Sequence, residues 1–234
     1  MQYVKIKDSI VEQIEAGMLA PRQKLPAERK LAESFNTTRV TLREALSLLE
    51  ADGRIYREDR RGWFISPEPL RYDLALPPHF LNRATAQNRT AKTELILAKV
   101  TLANKPATRL LDLPPFSDVY HIDRLRYLEG RPVAFITDYV RADLFPNLLD
   151  FDLNNSLTDI LREQFATDYH KARYRVLVSS LFGDIAQALR ATVGTPATVV
   201  ERTNYNQHGE VVNCAIEYWR HDAISIESLT HIAV

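Results

Sequence analysis

Arginine and threonine side chains near residue 40 have a spacing suited to binding anions. Arg39 and Arg43 are four residues apart, so on a helix they share one flank. Thr38 and Thr41 fall in the first turn of that helix. Hydroxyls and backbone N–H groups at a helix start suit phosphate contacts, and an arginine there can make two hydrogen bonds to guanine. The chemistry indicated is contact with a nucleic-acid backbone and its bases.

A second anion-binding pattern lies in the middle of the chain. Arg124 and Arg126 alternate along a strand-like run, so both side chains point to one face. Two guanidinium groups on one face form a trap for a phosphate or phosphonate. Ser156 and the first N–H groups of its predicted helix can add donors, and Thr93 can add a hydroxyl.

Each arginine set also has a purely structural interpretation. Arg39 and Arg43 could lie on a solvated helix face, although the combination of residue types at these positions favours binding. Arg124 and Arg126 could make surface ion pairs, for example with Asp123 or Asp138.

Three helices are predicted to position the first set. Apolar residues recur every four positions over residues 6–14, and a second short helix follows Pro26. The turn over residues 36–38 offers capping hydroxyls to a third helix from about Arg39 to Asp52, which carries a buried apolar stripe.

A hairpin is predicted directly after these helices. Residues 55–57 and 63–65 are strand-like, and a polar segment with Arg60, Arg61 and Gly62 at its tip joins them. Three helices and a hairpin make a winged helix-turn-helix, whose third helix would enter the major groove.

The rest of the chain predicts a linker and a second domain. Four prolines fall within residues 67–78, so we interpret 67–88 as a linker between a domain at 1–66 and another at 89–234. Two hairpins are predicted, at 119–140 and 198–220, with a strand at 172–182 and helices at 154–165 and 183–191. Asn154 or Asn155 is the expected cap of the first of these helices. The fold class is α/β with two domains, the second being α+β with an antiparallel sheet.

The first domain resembles the GntR family of bacterial transcription regulators. The resemblance rests on Leu25–Ala32, which contains the Leu-Pro-x-Glu-Arg motif, and on Phe35–Leu46. It implies binding as a symmetric dimer to palindromic double-stranded operator DNA. The residues expected to contact DNA, either from the resemblance or from their position on the predicted elements, are Arg29, Thr38, Arg39, Thr41, Arg43, Arg61 and Gly62.

The second domain resembles the UTRA effector domain of the HutC branch of that family, whose fold is that of chorismate lyase. The matching pieces are 124–126, 130–133, 155–157 and 194–196. The resemblance implies an effector anion surrounded by Thr93, Arg124, Arg126, Ser156 and Thr158.

Segments 59–64 and 216–222 look like PhnR-type regulators of phosphonate use. The effector implied is a phosphonate such as 2-aminoethylphosphonate, whose ammonium would need Glu217 or Asp138 as a partner. Glu217 could equally pair with Arg220 or Arg202. Ile136 stands where sugar-phosphate binders carry a carboxylate, which argues against a sugar hydroxyl contact there, yet a sugar phosphate or another metabolite stays an alternative effector.

Composition limits the remaining choices. Lys plus Arg and Asp plus Glu are 30 each, and residues 1–66 carry 12 basic and 10 acidic side chains, so charge balance barely indicates DNA. The single cysteine, Cys214, allows no internal disulfide, and we expect no signal peptide, no membrane span and a cytoplasmic location.

No catalytic, metal or cofactor motif is evident in the sequence. We therefore expect a homodimeric, ligand-responsive transcription regulator, acting as a repressor, rather than an enzyme. A chorismate lyase-like enzyme and a DNA-binding protein with a ligand-blind dimerisation domain are the alternatives.

Overall fold

The computed structural model describes residues 1–229; the last five residues of the predicted second domain lie outside this range. Internal contacts divide the chain into two compact units. The first comprises Met1–Arg71, Leu181–Pro196 and Arg220–Ser225, and within the described range the second comprises Tyr72–Ser180, Ala197–Trp219 and residues 226–229.

The helices and strands follow one another in this order: α1 (Gln2–Glu15), α2 (Glu28–Ser34), α3 (Arg39–Ala51), β1 (Ile55–Glu58), β2 (Gly62–Ile65), β3 (Leu70–Tyr72), α4 (Phe80–Thr85), β4 (Ala91–Leu102), α5 (Lys105–Leu111), β5 (Asp118–Leu128), β6 (Arg131–Arg141), a 3-10 turn (Leu148–Asp150), α6 (Leu157–Phe165), β7 (Lys171–Ser180), α7 (Gly183–Ala188), β8 (Pro196–Tyr205), β9 (Val211–Arg220) and β10 (Ile224–Ile226).

The first unit contains the predicted winged helix-turn-helix. The apolar stripe of α3 forms its core, with Leu42, Leu46 and Leu49 fully buried against α1 and α2. Burial of each such side chain stabilises the fold by about 1.5–3 kcal/mol. Thr38 is the N-cap of α3, because its hydroxyl accepts a hydrogen bond from the Thr41 backbone N–H at 3.2 Å.

The predicted hairpin is formed by β1 and β2, which pair antiparallel from Ile55–Ile65 at the base to Glu58–Gly62 at the tip. Gly62 has a φ of 101°, a conformation that favours glycine, so this residue lets the chain turn into β2.

The segment around α7 also belongs to the first unit. The Asp59 N–H in the hairpin turn donates to the Arg190 carbonyl at 2.9 Å. The buried Arg220 guanidinium donates to the Leu189 carbonyl at 3.1 Å and to the Arg57 carbonyl at 2.8 Å. These bonds fix the end of α7 beside β1.

The second unit is built on a six-stranded sheet of order β4-β5-β6-β9-β8-β7, and the predicted α+β class with an antiparallel sheet is confirmed. The hairpin of β5 and β6 pairs Arg124 with Ile136 and Arg126 with Ala134.

Residues 67–88, predicted as a linker, contain β3 and α4. The prolines there prevent long elements but not short ones. His79 caps α4, since its Nδ1 accepts from the Asn82 N–H at 3.3 Å, and Phe80 and Ala84 are buried. Helix α5 was also missing from the sequence prediction.

The predicted cap of α6 was wrong. Ser156 is the N-cap, and its hydroxyl accepts from the Asp159 N–H at 3.3 Å. Asn154 instead accepts a hydrogen bond from the Leu95 N–H at 2.9 Å, and Asn155 donates to Asp152.

Candidate functional site

The start of α3 is exposed and carries hydrogen-bonding groups. Arg39 and Val40 face solvent, and the hydroxyls of Thr38 and Thr41 are 3.0 Å apart. The first N–H groups of a helix attract anions, so this end of α3 is suited to phosphate contacts.

Glu28 connects the three parts of the winged helix. It accepts hydrogen bonds from Arg43 on α3 at 2.7 Å and from the Trp63 indole on β2 at 3.2 Å. Burial alone would raise the pKa of Glu28, but these two hydrogen bonds leave that pKa below its ordinary value. Arg43 is thus held in position while its side chain stays mostly exposed.

The tip of the hairpin presents arginines to solvent. Arg61 pairs with the nearly buried Glu58 and lies over the Phe64 ring at 5.7 Å, whereas Arg60 is 93% exposed. Arg29 on α2 is also exposed and lies 3.8 Å from Glu33. Every residue that the sequence predicted for DNA contact is in the first unit, and none is in its core.

The second unit encloses a cavity of about 30 Å³. Six of the seven predicted effector residues line it, namely Arg124, Arg126, Asp138, Ser156, Thr158 and Glu217. The seventh, Thr93, accepts a hydrogen bond from Arg126.

Arg124 and Asp138 form a buried ion pair at 2.7 Å on neighbouring strands. Arg124 also donates to the Asn155 carbonyl at 3.2 Å. Within residues 1–229, Arg124 Nε and Asp138 Oδ1 have no hydrogen-bond partner. Each member of this pair therefore retains one unsatisfied atom. The pairing with Asp138 that the sequence left open is present, but it is buried rather than on the surface.

Arg126 differs from Arg124 because no carboxylate pairs with it anywhere in residues 1–229. Its guanidinium lies 5.0 Å from the centre of the Phe80 ring. Burial, together with the like charge of Arg124, lowers the pKa of Arg126 to about 9. A bound anion would relieve both unfavourable effects.

Glu217 is already fully hydrogen bonded. It accepts from Arg202 at 3.0 Å, from the Tyr72 hydroxyl at 3.1 Å and from the Trp219 indole at 2.8 Å. The partner of Glu217 is thus Arg202 and not Arg220. Burial first, and then the charge of Glu217, raise the pKa of Tyr72 well above its ordinary range.

The cavity carries an excess of positive charge. Four arginines line it, Arg83, Arg124, Arg126 and Arg202, against the two carboxylates Asp138 and Glu217. The formal excess is therefore two, which suits a doubly charged anion. The start of α6 adds Ser156 and its backbone donors at the same cavity.

Sequence reasoning missed several lining residues. Tyr72, Phe80 and Arg83 come from the predicted linker, Tyr169 comes from the loop before β7, and Trp219 comes from β9. The alternation that identified Arg124 and Arg126 exists only within one strand, so it carried no signal for residues that arrive from elsewhere.

These features define a class of protein: a winged helix-turn-helix regulator with a second unit that contains a cationic cavity. Among the described residues, no group of three or more His, Cys, Asp or Glu side chains could hold a metal ion. No helix in the described range is long and apolar enough to span a membrane.

Matches to models of known protein families show to which family the chain belongs. The model for bacterial regulatory proteins of the gntR family matches residues 2–65, and the UTRA domain model matches residues 86–225. The chain belongs to the GntR family of bacterial regulators and carries a UTRA domain, which is the HutC-type architecture. It is a ligand-responsive transcription regulator.

Individual relatives agree with this assignment. The uncharacterised HTH-type transcriptional regulator YihL of Escherichia coli is 29% identical over 94% of this chain and 94% of that protein. The HTH-type transcriptional repressor NagR of Bacillus subtilis is 26% identical over 94% and 90%. The crystal structure of PhnF from Mycobacterium smegmatis has a TM-score of 0.69 at 22% identity, with 97% of this chain and 100% of that chain covered.

Proposed function

We propose that this regulator acts as a repressor that releases or rearranges on DNA when a small dianion, a phosphonate such as 2-aminoethylphosphonate, fills the cavity of the second unit. The observation that carries the proposal is Arg126, a partly buried guanidinium without a carboxylate partner in residues 1–229. A buried charge without a partner is costly, and an anionic ligand removes that cost.

The anion would be held from two sides. Arg126 and the free Nε of Arg124 approach from β5, while Ser156, Thr158 and the first N–H groups of α6 approach from the helix. A phosphonate offers three oxygens to such a set of donors.

Asp138 is the better candidate for the ammonium of the effector. Its Oδ1 is buried at the cavity and unpaired within the described residues, whereas both oxygens of Glu217 are taken. Thr93 acts indirectly, by orienting Arg126.

A sugar phosphate is the second candidate effector, since its phosphate would need the same cationic donors. One observation favours an effector without a sugar ring. The buried, apolar Ile136 lines the cavity at the position where the UTRA resemblance implies a carboxylate in sugar-phosphate binders. We further propose that the ligand is bound without turnover, so the chorismate lyase-like alternative is not favoured.

The proposed DNA contacts come from α2, α3 and the hairpin. Arg29, Arg39, Arg43 and Arg61 contact phosphates or base edges, Thr38 and Thr41 contact phosphates, and Gly62 allows close approach. Binding to operator DNA implies a cytoplasmic location.

We propose three functional regions: a DNA-binding domain at 1–66, a linker at 67–88 and an effector-binding domain at 89–234.

We also propose a homodimer formed through the second unit. Both edge strands of its sheet expose apolar side chains, Ile96, Val100 and Leu102 on β4 and Val176 and Val178 on β7. Exposed edge strands with such side chains favour pairing with another chain.

Calorimetric titration tests the effector assignment. Wild-type protein should bind 2-aminoethylphosphonate, and Arg126→Gln should lose at least tenfold in affinity. Arg109→Gln is the matched control, because Arg109 pairs with Glu201 and does not line the cavity. Methylphosphonate, inorganic phosphate and glucosamine 6-phosphate complete the panel. Tight binding of an uncharged compound, unaffected by Arg126→Gln, would refute an anion site.

A further inference from the structure

Beside the hairpin, the first unit has a cleft between the turn and the α7 segment, and charged side chains lie along it. The residues that line it are Asp59, Arg60, Arg61, Gly183, Asp184, Ala186, Gln187, Arg190, Ala191, Thr192 and Val193. The hairpin side of this cleft belongs to the DNA-binding module, but the other side comes from a segment that the UTRA model matches.

The position of Arg190 relative to the hairpin is fixed by its backbone. Its carbonyl accepts the Asp59 N–H at 2.9 Å, and the neighbouring Leu189 carbonyl is held by Arg220, which also holds the Arg57 carbonyl. Arg220 is 1% exposed, so these bonds are shielded from water.

The side chain of Arg190 is exposed and, within residues 1–229, makes no hydrogen bond or ion pair. The other charges of the cleft are largely matched: Arg60 lies 3.7 Å from Asp59, and Arg61 pairs with Glu58. Asp184, at the far end of α7, is the remaining carboxylate. Gln187, near the end of α7, is also exposed and lines the same cleft as Arg190.

We propose that Arg190, with Gln187 beside it, binds a backbone phosphate of the same DNA duplex that the hairpin approaches. The inference rests on the proposed DNA binding by α3 and the hairpin. The contact is with the backbone rather than with bases, because the segment lies beside the hairpin and not on the recognition helix. It supplies affinity and salt dependence without sequence preference.

Fluorescence anisotropy tests this contact with two labelled 40-base-pair duplexes, one taken from the DNA upstream of the chain's own gene and one with that sequence scrambled. Arg190→Gln should weaken binding to both duplexes by the same factor of several-fold. The slope of log affinity against log salt concentration should fall by about 0.9 for each protomer that loses a phosphate contact. Arg190→Lys should keep most of the slope.

Arg22→Gln is the matched control. Arg22 is an exposed arginine of the same unit with a similarly left-handed backbone, φ 67° against 52° for Arg190, and its N–H bonds to Ile65 at the base of the hairpin. A slope for Arg190→Gln equal to that of Arg22→Gln overturns the inference. Arg39→Gln separates the two proposals: if it leaves the preference for the upstream duplex intact, the assignment of α3 fails, whatever Arg190 does.

Discussion

Arg39 is exposed at the start of α3, and Arg43 is held one turn later by Glu28. Removing either guanidinium should take away one of the proposed contacts with DNA. We expect Arg39→Ala and Arg43→Ala each to weaken operator binding by about 1–3 kcal/mol, which is roughly 5- to 150-fold. A gel shift on the upstream DNA measures the loss. Arg54→Ala, which removes an exposed arginine paired with Glu15, is the control, and equal affinities for all three variants would refute the assignment of α3.

Single residues also matter for stability, because Glu217 and Arg202 form a buried ion pair in the second unit. Removing one partner leaves a buried charge uncompensated, at a cost of about 3–5 kcal/mol. Glu217→Gln should therefore lower the free energy of unfolding by about 3 kcal/mol in a urea titration. The control is Glu163→Gln, an exposed carboxylate on α6, for which about 0–1 kcal/mol is expected. A small effect at Glu217 would mean that its hydrogen bonds contribute little to stability.

At the scale of elements, Glu28 links α2, α3 and β2. Its pKa is lowered in the folded state, so its stabilising contribution is present above the ordinary carboxyl pKa and is lost as pH falls through the folded-state pKa. Glu28→Gln should cost about 1–2 kcal/mol at pH 7. It should also make the stability of the first unit less dependent on pH between about 5 and 3.

Thermal unfolding at several pH values, followed by circular dichroism, measures this effect. Glu44→Gln on α3 is the control, because Glu44 is exposed. If both variants show the same pH dependence as wild type, Glu28 does not link these elements.

The winged helix could be predicted almost entirely from sequence. Its helices have apolar residues at a helical period, and its turn residues are of the expected types, as Thr38 and Gly62 illustrate. Helix α4 could not be predicted, since its six residues directly follow a proline-rich stretch, show no period and are held by burial of Phe80. In the cavity, the predictable side chains lie on β5, β6 and β9 and at the start of α6, whereas those from residues 67–88 were not predictable. Tyr72 and Arg83 reach it only through tertiary folding.

In the whole molecule, the DNA-binding domain at 1–66 has almost no net charge, so its affinity for DNA should depend on dimerisation. Val178 on the edge strand β7 is 91% exposed, and we expect Val178→Glu to weaken self-association in sedimentation experiments. DNA affinity should fall with it, because we expect a single DNA-binding unit to make few phosphate contacts. Leu76→Glu alters an exposed leucine outside the sheet and should change neither property. A Val178→Glu protein that stays dimeric would exclude β7 from the interface.

In a ligand-responsive regulator, effector binding in the second unit must change the affinity of the first unit for DNA. The most direct measurement follows the anisotropy of the labelled upstream duplex with wild-type protein and with Arg126→Gln while 2-aminoethylphosphonate is added. Wild type should lose DNA affinity by about 5- to 150-fold, the range of a coupling free energy of about 1–3 kcal/mol. Arg126→Gln should bind the duplex as wild type does without effector and should not respond. An Arg126→Gln protein that releases DNA at the same effector concentration as wild type would contradict effector sensing through Arg126.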